Sequence, residues 1–294
     1  MTAPAVCFQK KFLDDPAGRT AGRTAGPESG PCYQVLMNFE KELEAVQGIA
    51  EQAGRLALEN HARGFETEIK PDDSPVTSAD RANEQLITKL LKEAFPDDGL
   101  LGEEGACRDS SNGRRWIIDP IDGTKSFIRG IPTWGVMLAL EAEGEIVAGA
   151  CNLPALGELY SAAAGLGAYR NGKRIHCSTV KALNQAMLCL TGIDKVVKRS
   201  WGQSFLPWTA QFWSVRSMGG CMDALCVASG RAEVWISMED KAWDLAPLKI
   251  IGEEAGARFM NLDGKSSIYG GNCVLTVPAL ENEIRAFLGI ELRK

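Results

Sequence analysis

Apolar positions recur along this chain in three rhythms, and the changes of rhythm mark the elements. Leu36, Phe39, Leu43, Val46, Ile49, Ala53 and Leu56 follow each other at intervals of three and four, which predicts an amphipathic helix from near Val35 to about His61. An irregular stretch with Pro71 and Pro75 follows. Thr77 and Asp80 then have capping-box spacing and open a second helix to about Ala94, with Leu86, Ile87, Leu90 and Leu91 on one face. Leu100-Leu101-Gly102-Glu103-Glu104-Gly105 suits neither helix nor strand and is predicted as loop. Trp116-Ile117-Ile118 is a continuous apolar run, predicted as a short buried strand that ends at Asp119. Pro120, with fixed φ and no N–H, is expected to stop the ladder there.

Alternation then takes over. Trp134–Leu140 and Glu145–Asn152 read as a hairpin, Leu159–Ala163 and Gly167–Tyr169 as further strands, and Asn171-Gly172 as a tight turn. From about residue 183, strands and helices alternate, which suggests an α/β half. The strands are Ala186–Thr191, Phe212–Arg216, Glu233–Ser237, Arg258–Asn261 and Cys273–Val277. Helices are expected at Gly219–Gly230 and Ala279–Leu288, and one capped by Asp244 runs to Gly256 with Pro247 in its first turn. The organisation expected is a leader over residues 1–34, an α+β half over 35–182 and an α/β half over 183–294. The leader, which contains the repeat AGRTAGRTAG, reads as disordered or loosely attached.

Composition narrows the function. Hydrophobic residues make up 45% and charged residues 24% of the 294 residues, as in ordinary globular proteins. A net charge of −6 argues against nucleic acid as a partner, so an anionic substrate has to be drawn in locally. No apolar run reaches the ~18 residues of a membrane span. The odd count of nine cysteines, with no C-x-x-C pair, fits free thiols in the cytoplasm.

Candidate chemistry gathers in Asp119-Pro120-Ile121-Asp122-Gly123-Thr124. Two carboxylates at the end of a buried strand attract a hard divalent cation, and the first N–H groups of the segment that follows attract phosphate oxygens. Competing chemistries fail on spacing. The acids are D-x-x-D rather than D-x-D, Cys226 and Arg231 lie too close for a cysteine phosphatase, and no Arg-His-Gly or G-x-S-x-G is present. Gly167 to Lys173 imitates a P-loop, but Arg174 replaces the Ser or Thr that would bind magnesium. There remains a carboxylate cluster of Glu103, Asp119, Asp122 and Asp244. It suits two or three Mg²⁺ ions that activate water for attack on phosphorus.

With these motifs in order (Gly102-Glu103-Glu104, Asp119 to Thr124, Trp243-Asp244 leading to Glu254-Ala255-Gly256) the chain resembles the inositol-monophosphatase-like superfamily of Mg²⁺-dependent, lithium-sensitive phosphatases. Lys70 to Asp80 is similar to that family's metal loop. The resemblance implies a five-layered αβαβα sandwich, an α+β or α/β fold like that of fructose-1,6-bisphosphatase, commonly a homodimer. It implies that Glu103, Asp119 and the Ile121 carbonyl hold a first metal; Asp119, Asp122 and Asp244 a second; and that Asp80 approaches a third. Gly123 and Thr124 would offer N–H groups to the phosphate, and Glu103 with Thr124 would orient and deprotonate the attacking water. The substrate would be a small phosphorylated metabolite.

Lys125 to Gly135 looks most like the histidinol-phosphatase branch, and Arg216 stands where that branch has a substrate-contacting arginine. Ser237 stands where inositol phosphatases carry a glutamate, and Gly219-Gly220 where the histidinol branch has Gly-Asp. The first two features favour histidinol phosphate and Gly219-Gly220 counts against it; histidinol phosphate is the expected substrate, with inositol phosphate or another sugar or nucleotide phosphate as the alternatives and a non-catalytic binding protein as the remote one.

Overall fold

The computed structural model describes residues 38–291, so Val35, Leu36 and the leader of residues 1–34 lie outside the described residues. Helices α1 (Glu40–Arg63) and α2 (Ser78–Ala94) are joined through the short antiparallel pair β1 (Thr67–Ile69) and β2 (Pro75–Thr77). The capping box that starts α2 is present: Thr77 Oγ1 accepts from the N–H groups of Ala79 and Asp80, and the Asp80 carboxylate accepts from the Thr77 N–H at 2.8 Å.

A first sheet holds eight strands in the order β10-β9-β8-β7-β6-β5-β3-β4. These are β3 (Gly99–Gly102), β4 (Cys107–Arg108), β5 (Arg114–Asp122), β6 (Gly135–Ala142), β7 (Glu145–Leu153), β8 (Glu158–Ala163), β9 (Gly167–Arg170) and β10 (Lys173–Ile175). The one-turn helix α3 (Thr124–Ile128) follows β5. The predicted hairpins form. Asn171 and Gly172 both take positive φ between β9 and β10, so the P-loop imitation is a hairpin.

A second sheet has five strands in the order β12-β11-β13-β15-β14. In chain order this half runs β11 (Met187–Thr191), α4 (Ile193–Val196), α5 (Gly202–Thr209), β12 (Ser214–Arg216), α6 (Gly220–Ala228), β13 (Val234–Ser237), α7 (Ala242–Glu254), β14 (Arg258–Met260), β15 (Cys273–Thr276) and α8 (Glu281–Leu288).

Alternation along the strands stacks these elements into layers. Trp116 and Ile118 of β5 face Val46 and Ile49 of α1 and Ile87 and Leu91 of α2. Ile117, between them, faces the other way, toward Leu225 of α6 and Leu245, Leu248 and Ile251 of α7. Cys189 and Trp235 of the second sheet close that middle layer from beyond, and Leu188, Leu190, Val234 and Ile236 face Phe205, Trp208, Ile284 and Leu288 on the far side. The result is the αβαβα sandwich that the resemblance implied. Among the described residues no helix is long and apolar enough to cross a membrane, and no cysteine forms a disulfide.

Three local expectations are corrected. Leu100–Gly102 is strand, because β3 lies parallel to β5 and between it and β4, where the ladder satisfies its backbone. Helix α7 starts at Ala242, so Pro247 lies inside it rather than in its first turn, and Lys241 rather than Asp244 is the N-cap. Pro120 does not stop the ladder: β5 continues to Asp122 with a shift of register after Asp119.

Close approach of α7 to β7 at Gly149 sets the spacing of the middle layer. A Cβ there would lie 2.8 Å from Ile250 Cγ2 and 3.1 Å from Pro247 Cα, whereas a Cβ on Gly48 in α1 would meet nothing within 4 Å. Gly149→Ala should therefore destabilise by about 1–3 kcal/mol. Gly48→Ala should stabilise by roughly 0.5–1 kcal/mol. Thermal unfolding checks both, and equal shifts would mean that α7 has room to move.

Candidate active site

Register brings the first two acids together. In the parallel pair β3 and β5, Gly102 lies opposite Ile118, so the next residues, Glu103 and Asp119, emerge side by side at the carboxyl ends of neighbouring strands. The Glu103 N–H donates to the Ile118 carbonyl at 3.1 Å. Glu84 of α2 shapes the turn beyond, where its two carboxylate oxygens accept from the N–H groups of Glu104 and Ala106, both at 2.8 Å. Gly102 is required for this packing, since a Cβ there would lie 2.2 Å from Glu84 Oε2.

The register shift in β5 places the third acid. Asp119 pairs with Met137 and Asp122 with Gly135, so three residues on one strand span two on the other. In an unbroken strand, residues three apart point to opposite faces. The extra residue of this bulge turns Asp122 to the same face as Asp119, the face that meets α6 and α7. The bulge suits its residues: Pro120 brings no N–H to satisfy, its carbonyl accepts from Asn83 Nδ2 at 3.1 Å, and the Ile121 N–H donates to Asp119 Oδ1 at 3.0 Å. Ile121 itself packs the other way, onto Ala57, Ala79, Phe127 and Trp134.

Two helix starts complete the site. The Cys221 N–H, in the first turn of α6, donates to Asp122 Oδ2 at 3.0 Å. Gly220 lies against the same carboxylate, where a Cβ would make ordinary contact with Asp122 Oδ1 at 3.6 Å. Asp244 is the third residue of α7, and its Oδ2 accepts from the Lys241 N–H at 2.6 Å. One carboxylate oxygen from each of Asp119, Asp122 and Asp244 then lies within 4.8 Å of the others. Burial raises the Asp119 pKa well above the usual carboxylate range, and the charges of Glu103, Asp122 and Asp244 raise it further. Asp244 is raised well above that range by burial and then by the charges of Asp122 and Asp240. Burial also raises Asp122, against the bonds from Cys221. Glu103 is raised by burial and held back by Lys70, whose ammonium lies 2.9 Å from Glu103 Oε1 and 2.6 Å from Glu104 Oε1.

The remaining predicted residues flank this cluster or stand away from it. Asp80 is fully buried: Thr77 donates to its Oδ2 and Thr124 Oγ1 to its Oδ1 at 3.3 Å. Thr124 Oγ1 also lies 3.2 Å from the Ile121 carbonyl. Gly123 takes φ +82°, the left-handed turn that lets α3 begin directly after the strand. Arg216 is exposed at the end of the edge strand β12, its guanidinium on the Val215 carbonyl at 2.8 Å. Among the described residues no ion pair joins it to the carboxylates.

Lys70, at the start of the segment that resembles the metal loop, covers Glu103 and Glu104. Glu84, Asn83, Cys221 and Asp240 also act on the site, and sequence reasoning did not find them there. Each acts across a fold contact that leaves no local pattern. Only Gly102, a glycine beside two glutamates, hinted at the tight approach.

All donors in the cluster are oxygens, and several carboxylates crowded out of water call for positive charge, so these residues fit a hard divalent cation. Fold and site together define a layered α/β protein with an oxygen-lined site that suits such ions. Residues 38–288 match the inositol monophosphatase family, and the chain belongs to that family; it is a phosphoric monoester hydrolase. It is 42% identical over 231 residues to a histidinol-phosphatase of Chlorobaculum parvum, covering 78% of this chain and 89% of the relative. It is 32% identical to an inositol-1-monophosphatase of Rhizobium meliloti, covering 74% of this chain and 84% of the relative. Its fold is similar to that of the IMPase of Thermotoga maritima, with a TM-score of 0.78 and 27% identity over 85% of this chain and 97% of that one.

Raised carboxylate pKa values fix the sign of a pH dependence. A folded-state pKa above the unfolded one contributes stability below the unfolded value and loses it as pH rises through the folded value. In EDTA at about pH 8, Asp119→Asn should therefore raise the melting temperature, by roughly 1–3 kcal/mol of stability, and the gain should shrink toward about pH 4. Asn retains the acceptor for the Ile121 N–H, so calorimetry of the two chains across pH isolates the charge. A gain independent of pH would mean that the charge of Asp119 is not what strains the metal-free site.

Proposed function

We propose that the chain hydrolyses histidinol phosphate to histidinol and phosphate with Mg²⁺ as cofactor. The convergence of Asp119, Asp122 and Asp244 on one face carries the phosphatase part. The histidinol-phosphatase relative at 42% identity, against 32% for the inositol-1-monophosphatase, favours the substrate. Glu103, Asp119 and the Ile121 carbonyl would hold one ion; Asp119, Asp122 and Asp244 a second; and Asp80 would border a third. Bound there, the ions would supply the positive charge that draws in the phosphate, lowers the pKa of a water and offsets charge on the leaving oxygen.

The chain's own groups do the rest. The first N–H groups of the segment after Gly123 have no partner within α3, so Gly123 and Thr124 can offer theirs to phosphate oxygens. Thr124 Oγ1, held between Asp80 Oδ1 and the Ile121 carbonyl, orients the attacking water. Glu103, a buried carboxylate whose pKa is raised, is suited to take that water's proton. Asp244 borders the alcohol half of the substrate, and Arg216 reaches it only if its guanidinium leaves the Val215 carbonyl. The same reading makes the protein a cytoplasmic homodimer, which analytical ultracentrifugation tests for assembly.

Phosphate release from histidinol phosphate, inositol 1-phosphate and fructose 1,6-bisphosphate, with and without Mg²⁺, is the direct experiment. Histidinol phosphate should lead by about a hundredfold in kcat/KM, equivalent to roughly 2.7 kcal/mol of transition-state discrimination. Asp119→Asn should lower kcat/KM about a thousandfold, roughly 4 kcal/mol, without loss of fold. Inositol 1-phosphate in front would replace the substrate assignment, and an active Asp119→Asn enzyme would overturn the mechanism.

A further inference from the structure

Behind the first turn of α6 lies a carboxylate that the metal cluster and the hydrolysis leave unused. Asp223, the fourth residue of α6, is fully buried. Among the described residues no basic side chain pairs with it. The titratable groups that face it are two thiols, Cys189 on β11 and Cys226 three residues on in α6. Burial pushes its pKa up to about 6, against the bonds from Met218, Gly219, Thr191 and Cys189.

An acid in the first turn of a helix complements the positive end of the helix dipole, which would make Asp223 a stabilising residue. The raised pKa has the opposite sign. The folded chain holds this group more easily neutral than charged, so the charge is kept there against stability.

The contacts of the carboxylate point to what it serves. Its Oδ1 accepts from the Met218 N–H at 3.0 Å, and Thr191 Oγ1 lies 3.4 Å from its Oδ2. Thr191 closes β11. Its hydroxyl accepts from Trp235 Nε1 at 3.0 Å, which leaves its own hydrogen for Asp223. The Asp223 N–H donates to the Gly219 carbonyl at 2.8 Å. One residue thus ties the end of β11 to the turn of residues 217–219, which joins β12 to α6. The far end of that turn rests on the cluster: the Cys221 N–H meets Asp122 Oδ2 at 3.0 Å, and a Cβ on Gly220 would touch Asp122 Oδ1.

We propose that Asp223 is a positioning residue of the metal site. By holding the turn before α6 it aims the Cys221 N–H at Asp122, and so sets the direction in which that carboxylate meets a metal ion. This rests on the reading of Asp122 as a metal ligand. Asp223 touches neither ion nor substrate; it acts through the turn and the first N–H groups of α6.

Asp223→Asn tests this, because it removes the charge in nearly the same volume. Its amide nitrogen only donates, so one of the donors that face Asp223 loses its acceptor. Mg²⁺ binding to the full chain is measured by isothermal titration calorimetry, and thermal unfolding is followed in EDTA at about pH 8 and about pH 4. Mg²⁺ affinity should fall about tenfold. The Mg²⁺ half-saturation of phosphate release should rise in step, with kcat at saturating Mg²⁺ largely retained. The melting temperature should rise at pH 8. A folded-state pKa above the unfolded one means that the charged group loses stability as pH rises through about 6, so the gain should shrink toward pH 4.

A variant that is weaker toward Mg²⁺ and yet more stable is the signature of positioning. Unchanged Mg²⁺ affinity overturns the proposal. A lower melting temperature at pH 8, or a chain that fails to fold, assigns the carboxylate to helix capping and overturns it as well. The metal reading fails separately, if the wild type itself binds no Mg²⁺, and the proposal then falls with it.

Discussion

Mutual repulsion among buried carboxylates is the constraint around which this molecule is arranged. Asp119, Asp122 and Asp244 meet within 4.8 Å, with Glu103 close enough to raise the pKa values of Asp119 and Asp244 further and Asp240 that of Asp244. A folding chain would not gather them there for stability, since each is penalised by burial and by the others. The rest of the fold supplies the force that holds them. Ile117 and Ile118 are fully buried on opposite faces of β5, so the strand that carries Asp119 is clamped between two hydrophobic layers. A divalent cation bound there would relieve that strain.

What the backbone adds is direction. The first turns of α6 and α7 aim N–H groups at Asp122 and Asp244, the Ile121 N–H turns to Asp119, and Lys70 covers Glu103. Partial charges and one ammonium thus temper an acid cluster that remains short of positive charge. The parallel pair β3 and β5 opens its carboxyl ends toward the same place, so that loops from both sheets and both inner helices reach one cleft. Helix α2 builds the other wall from below, with Asp80, Asn83 and Glu84 successively holding Thr124, the Pro120 carbonyl and the turn after Glu103.

The bulge in β5 joins these themes. It is a single extra residue, yet without it Asp119 and Asp122 would face opposite layers of the sandwich. Pro120 was legible as an interruption, because its ring and missing N–H act locally. That the interruption is a bulge rather than an end depends on Gly135 and Met137 of β6, which continue the pairing on either side. The same difference separates Asp244 as a cap from Asp244 as the third residue of α7, because the helix start is decided by where Lys241 and Ala242 lie against the rest of the molecule.

Local spacing therefore determined much by itself. The three-and-four rhythm of α1, the alternation of β6 and β7, the Asn171-Gly172 turn and the capping box at Thr77 are short-range consequences of backbone geometry, and each formed close to where the residues placed it, although α1 begins at Glu40, with Phe39 as its N-cap, rather than near Val35. The acidic motifs were legible as short local patterns of acids beside glycines, since hard cations take oxygen ligands and carboxylates supply them. Only the tertiary structure decided which face each acid takes, that Glu84 and Lys70 shape and cover the Glu103 turn, and that Ser237 and Asp240 carry oxygens with no partner among the described residues. Those facts arise from contacts between residues far apart in the chain, as between Cys221 and Asp122, and packing between distant segments has no period in the sequence to betray it.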